Sequence, residues 1–183
     1  FGGGVDSLEK MKDIIQAGAE KVVFNTAAVE NPSLISDAAS KFGSQCIVVS
    51  IDALKLNNSY KVFIRNGTEL TNLDPVKWAK EVESRGAGEI LINSIAHDGM
   101  QKGYNLELIT KVADSVNIPV IAAGGAASIK DCVEIIKKGK ASAVSAGSIF
   151  HYTKFTPNMI KGALHDAGIP VRMYDDIDYD YSW

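Results

Sequence analysis

The sequence predicts an α/β fold with parallel strands, and three observations carry that prediction. Short apolar runs, Val22–Phe24, Ile47–Ile51, Ile90–Ile92, Val120–Ala122 and Ala143–Ala146, alternate strictly with segments of helical periodicity. Each strand–helix pair takes roughly 25 to 35 residues, the length of a parallel crossover. The chain also echoes itself at a spacing of about 120 residues, or four such units. Gly3-Gly4-Val5-Asp6-Ser7-Leu8-Glu9 returns as Gly124-Gly125-Ala126-Ala127-Ser128-Ile129-Lys130, and Ile14-Ile15-Gln16-Ala17-Gly18 as Ile135-Ile136-Lys137-Lys138-Gly139. A doubly wound sheet and a closed barrel both fit the alternation, and the repeat decides between them. Doubling the period gives about 240 residues, close to the size of a (β/α)8 TIM barrel. The sequence then covers the end of strand 3 through unit 8, with an internal half-barrel repeat, and about two and a half units would lie upstream of Phe1. A portion with two open sheet edges is not expected to be stable alone.

The elements follow in order. Gly2-Gly3-Gly4 leaves one strand, and Asp6 with Glu9 reads as a capping box ahead of Leu8, Met11, Ile14 and Ile15. Asn31-Pro32 opens a helix whose apolar face is Leu34, Ile35, Ala38, Ala39 and Phe42. After the run Ile47–Ile51, Tyr60-Lys61-Val62-Phe63-Ile64 with Asn66-Gly67 reads as a β-hairpin. That insertion is either a lid over the active face or surface decoration. Asp74-Pro75 and Thr156-Pro157 cap further helices, and Gly18, Gly86, Gly139 and Gly168 fit left-handed helix stops. The expected organisation is one barrel domain over 1–172 and an acidic, aromatic tail over 173–183.

Composition narrows the function. With 183 residues, 46% of them hydrophobic, the chain can bury a sizeable core. A net charge of −3 and a pI near 5.6 offer no basic patch for nucleic acid. No apolar run reaches transmembrane length and no signal peptide is visible, and Cys46 and Cys132 lie in apolar segments without a metal-type spacing. These features point to a cytoplasmic protein with reduced core thiols.

In such barrels the chemistry lies at the carboxyl ends of the strands. Those ends read Gly2-Gly3-Gly4, Asn25-Thr26, Asp52, Ser94, Gly124-Gly125 and Gly147-Ser148. Both glycine pairs let backbone N–H groups approach a phosphate, and both small polar pairs can donate to one. Two such half-sites suggest a ligand with a phosphate at each end. Asp52 closes an apolar run, where a carboxylate is costly unless solvated, paired or working, and it reads as a general acid/base. Asp98-Gly99 could cap a loop or orient a hydroxyl. Lys21 and Glu89 begin two strands, at the barrel floor, where they form either a stabilising charge cluster or a gate.

Phe1-Gly2-Gly3-Gly4, residues 21–31 (KVVFNTAAVEN), residues 42–52 (FGSQCIVVSID), Gly86-Ala87-Gly88-Glu89-Ile90, Asp98-Gly99 and Gly124-Gly125-Ala126 together resemble the cyclase subunit family of imidazole glycerol phosphate synthase. The resemblance runs from Phe1 to about Arg172. It implies a TIM barrel of histidine biosynthesis that uses ammonia to split a bis-phosphorylated ribonucleotide into imidazole glycerol phosphate and an aminoimidazole carboxamide ribotide. It also implies that Asp52 is one of two catalytic aspartates, the other on a first strand not included here, so that this chain by itself should not complete the reaction. Gly4, Asn25 and Thr26 would belong to one phosphate site, and Asp98, Gly99, Gly125 and Ser148 to the other. Lys21 and Glu89 would be a gate that receives ammonia from a glutaminase subunit docked beneath the barrel. No metal or organic cofactor is implied.

The sequence departs from that family at Leu54, Ala96, His97, Met100 and Ala123, where a lysine, an aspartate, an arginine, a threonine and a serine are usual. Two alternatives follow: a cyclase-like paralogue supplying ammonia for amidino-sugar formation in surface polysaccharides, or a non-catalytic ammonia-conducting scaffold.

Overall fold

The computed structural model describes residues 1–173, so the expected tail lies, apart from Met173, outside the described residues. Helix α1 (Leu8–Gln16) leads to strand β1 (Val22–Phe24), the short helix α2 (Thr26–Glu30) and α3 (Ser33–Phe42). A 3₁₀ turn then enters β2 (Ile47–Leu56), followed by the hairpin strands β3 (Ser59–Ile64) and β4 (Glu69–Leu70) and by α4 (Pro75–Ser84). The rest alternates: β5 (Glu89–Ser94), α5 (Leu106–Ala113), β6 (Val120–Ala123), α6 (Ile129–Lys137), β7 (Ala143–Val144), α7 (Ser148–Tyr152) and α8 (Pro157–Asp166).

The parallel strands lie side by side in chain order, β1-β2-β5-β6-β7. A doubly wound sheet would reverse direction at a switch point. This sheet does not, and winding in one direction is barrel winding. Its two faces differ accordingly. Val22, Phe24, Ile47, Val49, Ile51, Ile90, Ile92, Val120 and Ala122 pack with Met11, Ile35, Trp78, Leu108 and Ile135 of the helices in one buried core. The alternate residues Val23, Ser50, Asp52, Leu91, Asn93 and Ile121 are only half-buried on the opposite face, the face a barrel turns inward. Among the described residues the sheet is not closed by hydrogen bonds. Gly2 bridges Val23 on the outer side of β1, as expected for the end of a preceding strand, and β7 pairs with β6.

Several local expectations are corrected. β2 does not stop at Ile51 but runs on to Leu56, turning into β3 through Asn57 and Asn58, both left-handed (φ 44 and 70). Two asparagines with positive φ make the tight turn that antiparallel strands require. The Asn66-Gly67 turn does exist, with Arg65 also left-handed (φ 52), and leads into β4. The cap of α1 is Ser7, whose hydroxyl accepts from Lys10 N, while Asp6 is drawn away to the Lys10 ammonium at 2.7 Å. Asn31 does not cap α3; its carboxamide accepts from the Ser33 hydroxyl instead. The left-handed residue after α6 is Lys140 (φ 58), not Gly139. Gly139 is there for space, since a Cβ on it would lie 2.6 Å from Ile135 O.

The internal repeat is structural. Gly3 and Gly4 (φ 102 and 66) answer Gly124 and Gly125 (φ 79 and 116). The helices α1 and α6, each of 9 residues and each capped by a serine, follow them. Beyond β1 and β7 come two 5-residue helices, α2 and α7, which begin at Thr26 and Ser148.

Candidate active site

Asp52 lies where β2 outruns β1. Phe24 pairs with Val49, and three residues further on Asp52 pairs with Phe63 of the hairpin on the same edge. The carboxylate is thereby held at the carboxyl end of the sheet, on its helix-free face. Asn25 Nδ2 donates to Asp52 Oδ2 at 2.9 Å and to Phe63 O at 3.3 Å, and Ser50 Oγ donates to Asp52 Oδ1 at 3.4 Å. Burial raises the Asp52 pKa above its ordinary value. Hydrogen bonds from Asn93, Asn25 and Ser50 pull the other way, and the nearby negative charge of Asp98 adds to the rise. An acid whose charge is this finely opposed is suited to exchanging a proton.

Two cavities flank Asp52, and it lines both. The larger, about 430 Å³, is bounded by Gly3, Gly4, Asn25, Thr26, Arg65 and Asn66. The smaller, about 230 Å³, is bounded by Ser50, Asn93, Asp98, Gly125, Ser145 and Ser148. Each cavity is therefore walled by one glycine pair and one small polar pair of the repeat. A third space of about 380 Å³ reaches Asp52 between the hairpin tip (Asn66, Gly67) and the loop after β5 (Ile95, Asp98).

The glycines are not equivalent. A Cβ on Gly4 meets nothing within 4 Å, so its backbone faces open space. A Cβ on Gly125 would fall 2.3 Å from Gly103 O and 2.9 Å from His97 Cβ. That close approach is fixed by Gly103 N donating to Gly125 O at 2.8 Å, which docks the loop after β5 onto the loop after β6.

Of the residues singled out from sequence, Gly4, Asn25 and Thr26 meet in the larger cavity, and Asp98, Gly125 and Ser148 in the smaller. Gly99 (φ 70) turns the exposed loop beside Asp98 and lines neither cavity. The Asn25 amide is occupied by Asp52 and Phe63 O, and the Thr26 hydroxyl accepts from Arg65 N at 3.0 Å. The hairpin is thus fastened to β1 and forms one wall of the site. His97, a departure noted above, places Nδ1 2.9 Å from the buried Ser94 hydroxyl. Sequence reasoning missed Ser50, Asn93, Ser145 and Arg65. Ser50 and Asn93 had a usable signal: one is two residues before Asp52 in the same strand, the other sits at a strand's carboxyl end.

Lys21 and Glu89 come together at the opposite end of the sheet, Nζ to Oε1 2.8 Å, with Nζ also donating to Gln45 O at 3.1 Å. Glu89 pairs in register with Val48, and Val48 with Val23, so the ion pair bridges over β2 on the same face as Asp52. Among the described residues no group of three or more His, Cys, Asp or Glu side chains is placed to hold a metal, and no helix is long and apolar enough to cross a membrane.

A singly wound α/β sheet with an acidic residue between two glycine-walled cavities at its strand ends defines a barrel-class enzyme site. The chain belongs to the histidine biosynthesis protein family, whose profile matches residues 1–156. It is 48% identical over 172 residues to the imidazole glycerol phosphate synthase subunit HisF of Natranaerobius thermophilus, covering 94% of this chain and 68% of that protein. The subunit of the same name from Trichormus variabilis is 48% identical over 177 residues (94% and 69%), and that of a Nostoc species 47% over 177 residues (94% and 68%).

Proposed function

We propose that this chain carries the cyclase chemistry of imidazole glycerol phosphate synthase in histidine biosynthesis. The observation that supports it is that Asp52 lines two cavities, each walled by one copy of the repeat. A ligand with a phosphate at each end would set one terminus against Gly4 and Thr26 and the other against Gly125 and Ser148, with its reacting centre over Asp52. Backbone N–H groups at the glycine loops would take the phosphate oxygens. Asp98 brings a second negative charge to the smaller cavity, so it would serve a ligand hydroxyl or N–H rather than phosphate oxygens. Asp52 would accept and return a proton as ammonia adds and the product divides. Lys21 and Glu89 would admit ammonia at the amino ends of the strands, delivered by a glutaminase partner subunit docked there, in the cytoplasm.

The relatives favour this reading over the sugar-pathway paralogue. The hydrogen bonds that Asp52 receives favour it over an idle scaffold, which has no need to bury a carboxylate. The test is turnover of the bis-phosphorylated precursor by the full-length protein with ammonium salt as nitrogen source. Formation of imidazole glycerol phosphate supports the cyclase. A folded full-length protein that gives no product removes it.

A further inference from the structure

Asp52 and Asn93 are register partners across β2 and β5, so their side chains rise from the same face, and both line the smaller cavity. Asn25 reaches the same carboxylate from the end of β1. Asn93 Oδ1 is buried with no hydrogen-bond partner among the described residues, and it occupies the space that a side chain on Gly124 would need, 2.4 Å from a Cβ built there. A carboxamide can turn over and exchange its oxygen for its NH2 group. An orientation that strands a buried acceptor is kept only when the NH2 end gains more than the oxygen loses. With Oδ1 set against Gly124 beyond β6, the NH2 end is left on the β2 side, where the half-buried Asp52 carboxylate is the acceptor for a charge-assisted bond.

We propose that Asn93 is a positioning residue that, opposite Asn25, clamps the Asp52 carboxylate and fixes which oxygen faces which cavity. The inference rests on reading Asp52 as the acid/base and names a residue that sets its working state. Hydrogen bonding from Asn93 stands first among the influences that hold the Asp52 pKa down against burial. Asp98, in the loop after β5, is the charge that bears on Asp52; Lys61 stands on the same face of β3, and Arg65, Glu30 and Asp6 line the larger cavity. The Lys21–Glu89 pair lies further down the same face.

The test is a carbon-13 carboxyl titration of the full chain, with the Asp52 resonance assigned by its loss in Asp52→Asn. Asn93→Leu keeps the γ-branched outline and removes the donor; Asp52 should then titrate at a higher pH than in the wild type. Asn93→Thr, with a hydroxyl donor, should bring it back toward the wild-type position. In turnover, the acid limb of the kcat profile should move up with the titration, and kcat should fall about tenfold at the wild-type midpoint with KM little changed. If the leucine variant does not fold, Asn93→Ala makes the same comparison in a less crowded site. A folded donor-less variant in which Asp52 titrates as in the wild type overturns the clamp. The titration needs no turnover, so the two readings fail separately: an active Asp52→Asn variant removes the acid/base role, and an unmoved titration removes only the clamp.

Discussion

Burial opposes the charge of the Asp52 carboxylate, and this has two measurable consequences. A group whose folded pKa lies above its unfolded value contributes stability below the unfolded pKa and loses it as pH rises through the folded one. On the alkaline side of the folded pKa that contribution is gone, so there Asp52→Asn, neutral at every pH, should melt at a higher temperature than the wild type. The gap should close below about pH 4, where both side chains are uncharged. The same substitution should lower kcat by about 10²–10⁴ if Asp52 moves the proton. Thermal melts across pH, set beside turnover, check both, and near-normal turnover would remove the catalytic role. The glycines separate site from scaffold in a similar way. Gly125→Ala forces a Cβ against Gly103 O at 2.3 Å and should cost about 1–3 kcal/mol from overpacking, besides about 1–2 kcal/mol for its positive φ. Gly4→Ala meets open space, so only the left-handed backbone cost of about 1–2 kcal/mol applies. Its larger effect should appear as weaker binding of a phosphate-bearing ligand. Denaturant unfolding and ligand titration on both variants distinguish them, and equal stability losses would show that the two loops are alike.

At the scale of elements, the repeat makes a prediction that its two copies answer differently. Ser128 and Asp131 cap α6 reciprocally, the Asp131 carboxylate accepting from Ser128 N at 2.8 Å and Ala127 N at 3.0 Å. Ser7 has no such return bond, because the corresponding residue is Lys10, whose ammonium is paired with Asp6. Ser128→Ala should therefore cost about 1–2 kcal/mol and Ser7→Ala about 0.5, read from chemical denaturation; a larger loss at Ser7 would contradict this account. The capping error in the sequence reading has the same origin. Asp6 and Ser7 are both good cap residues three or so positions ahead of a polar partner, and which of them caps depends on where Lys10 sends its charge. Parallel strands, helix faces and the two glycine loops were legible, because each follows from local periodicity or from residues with special φ. The extension of β2 to Leu56 was not. Lys55 and Leu56 continue no apolar run, and they are held by tertiary contacts: Lys55 to Glu107 at 2.8 Å and Tyr60 Oη to Asn105 and Glu107 at 3.1 Å. Gly139 misled for a simpler reason, since a glycine can be required by crowding as well as by backbone conformation.

At the scale of the whole molecule, one face of one sheet carries Asp52 and the paired cavities at the carboxyl ends of the strands and the Lys21–Glu89 pair at the amino ends. The half-site symmetry was visible in the sequence as a repeat. The convergence of both halves on Asp52 was not, because it depends on β2 outrunning β1 and on the strands of Asn25 and Asn93 flanking it on either side. The ion pair at the far end has two competing explanations, and its geometry allows a test. As a structural contact it is modest: Lys21 is 41% exposed and Glu89 20%, so with solvent screening the pair should be worth no more than about 1 kcal/mol. Lys21→Ala should then leave folding nearly intact. If the pair gates entry of ammonia from a docked glutaminase subunit, the variant should lose turnover driven by glutamine by about tenfold or more, while turnover driven by added ammonium salt, which can enter from the open carboxyl end, should change by about twofold or less. Measuring both rates on one preparation of the assembled protein makes the comparison internal. Equal losses with either nitrogen source would mean that Lys21 acts on the site or on the fold rather than on passage, and the pair would revert to a charge cluster at the base of the sheet.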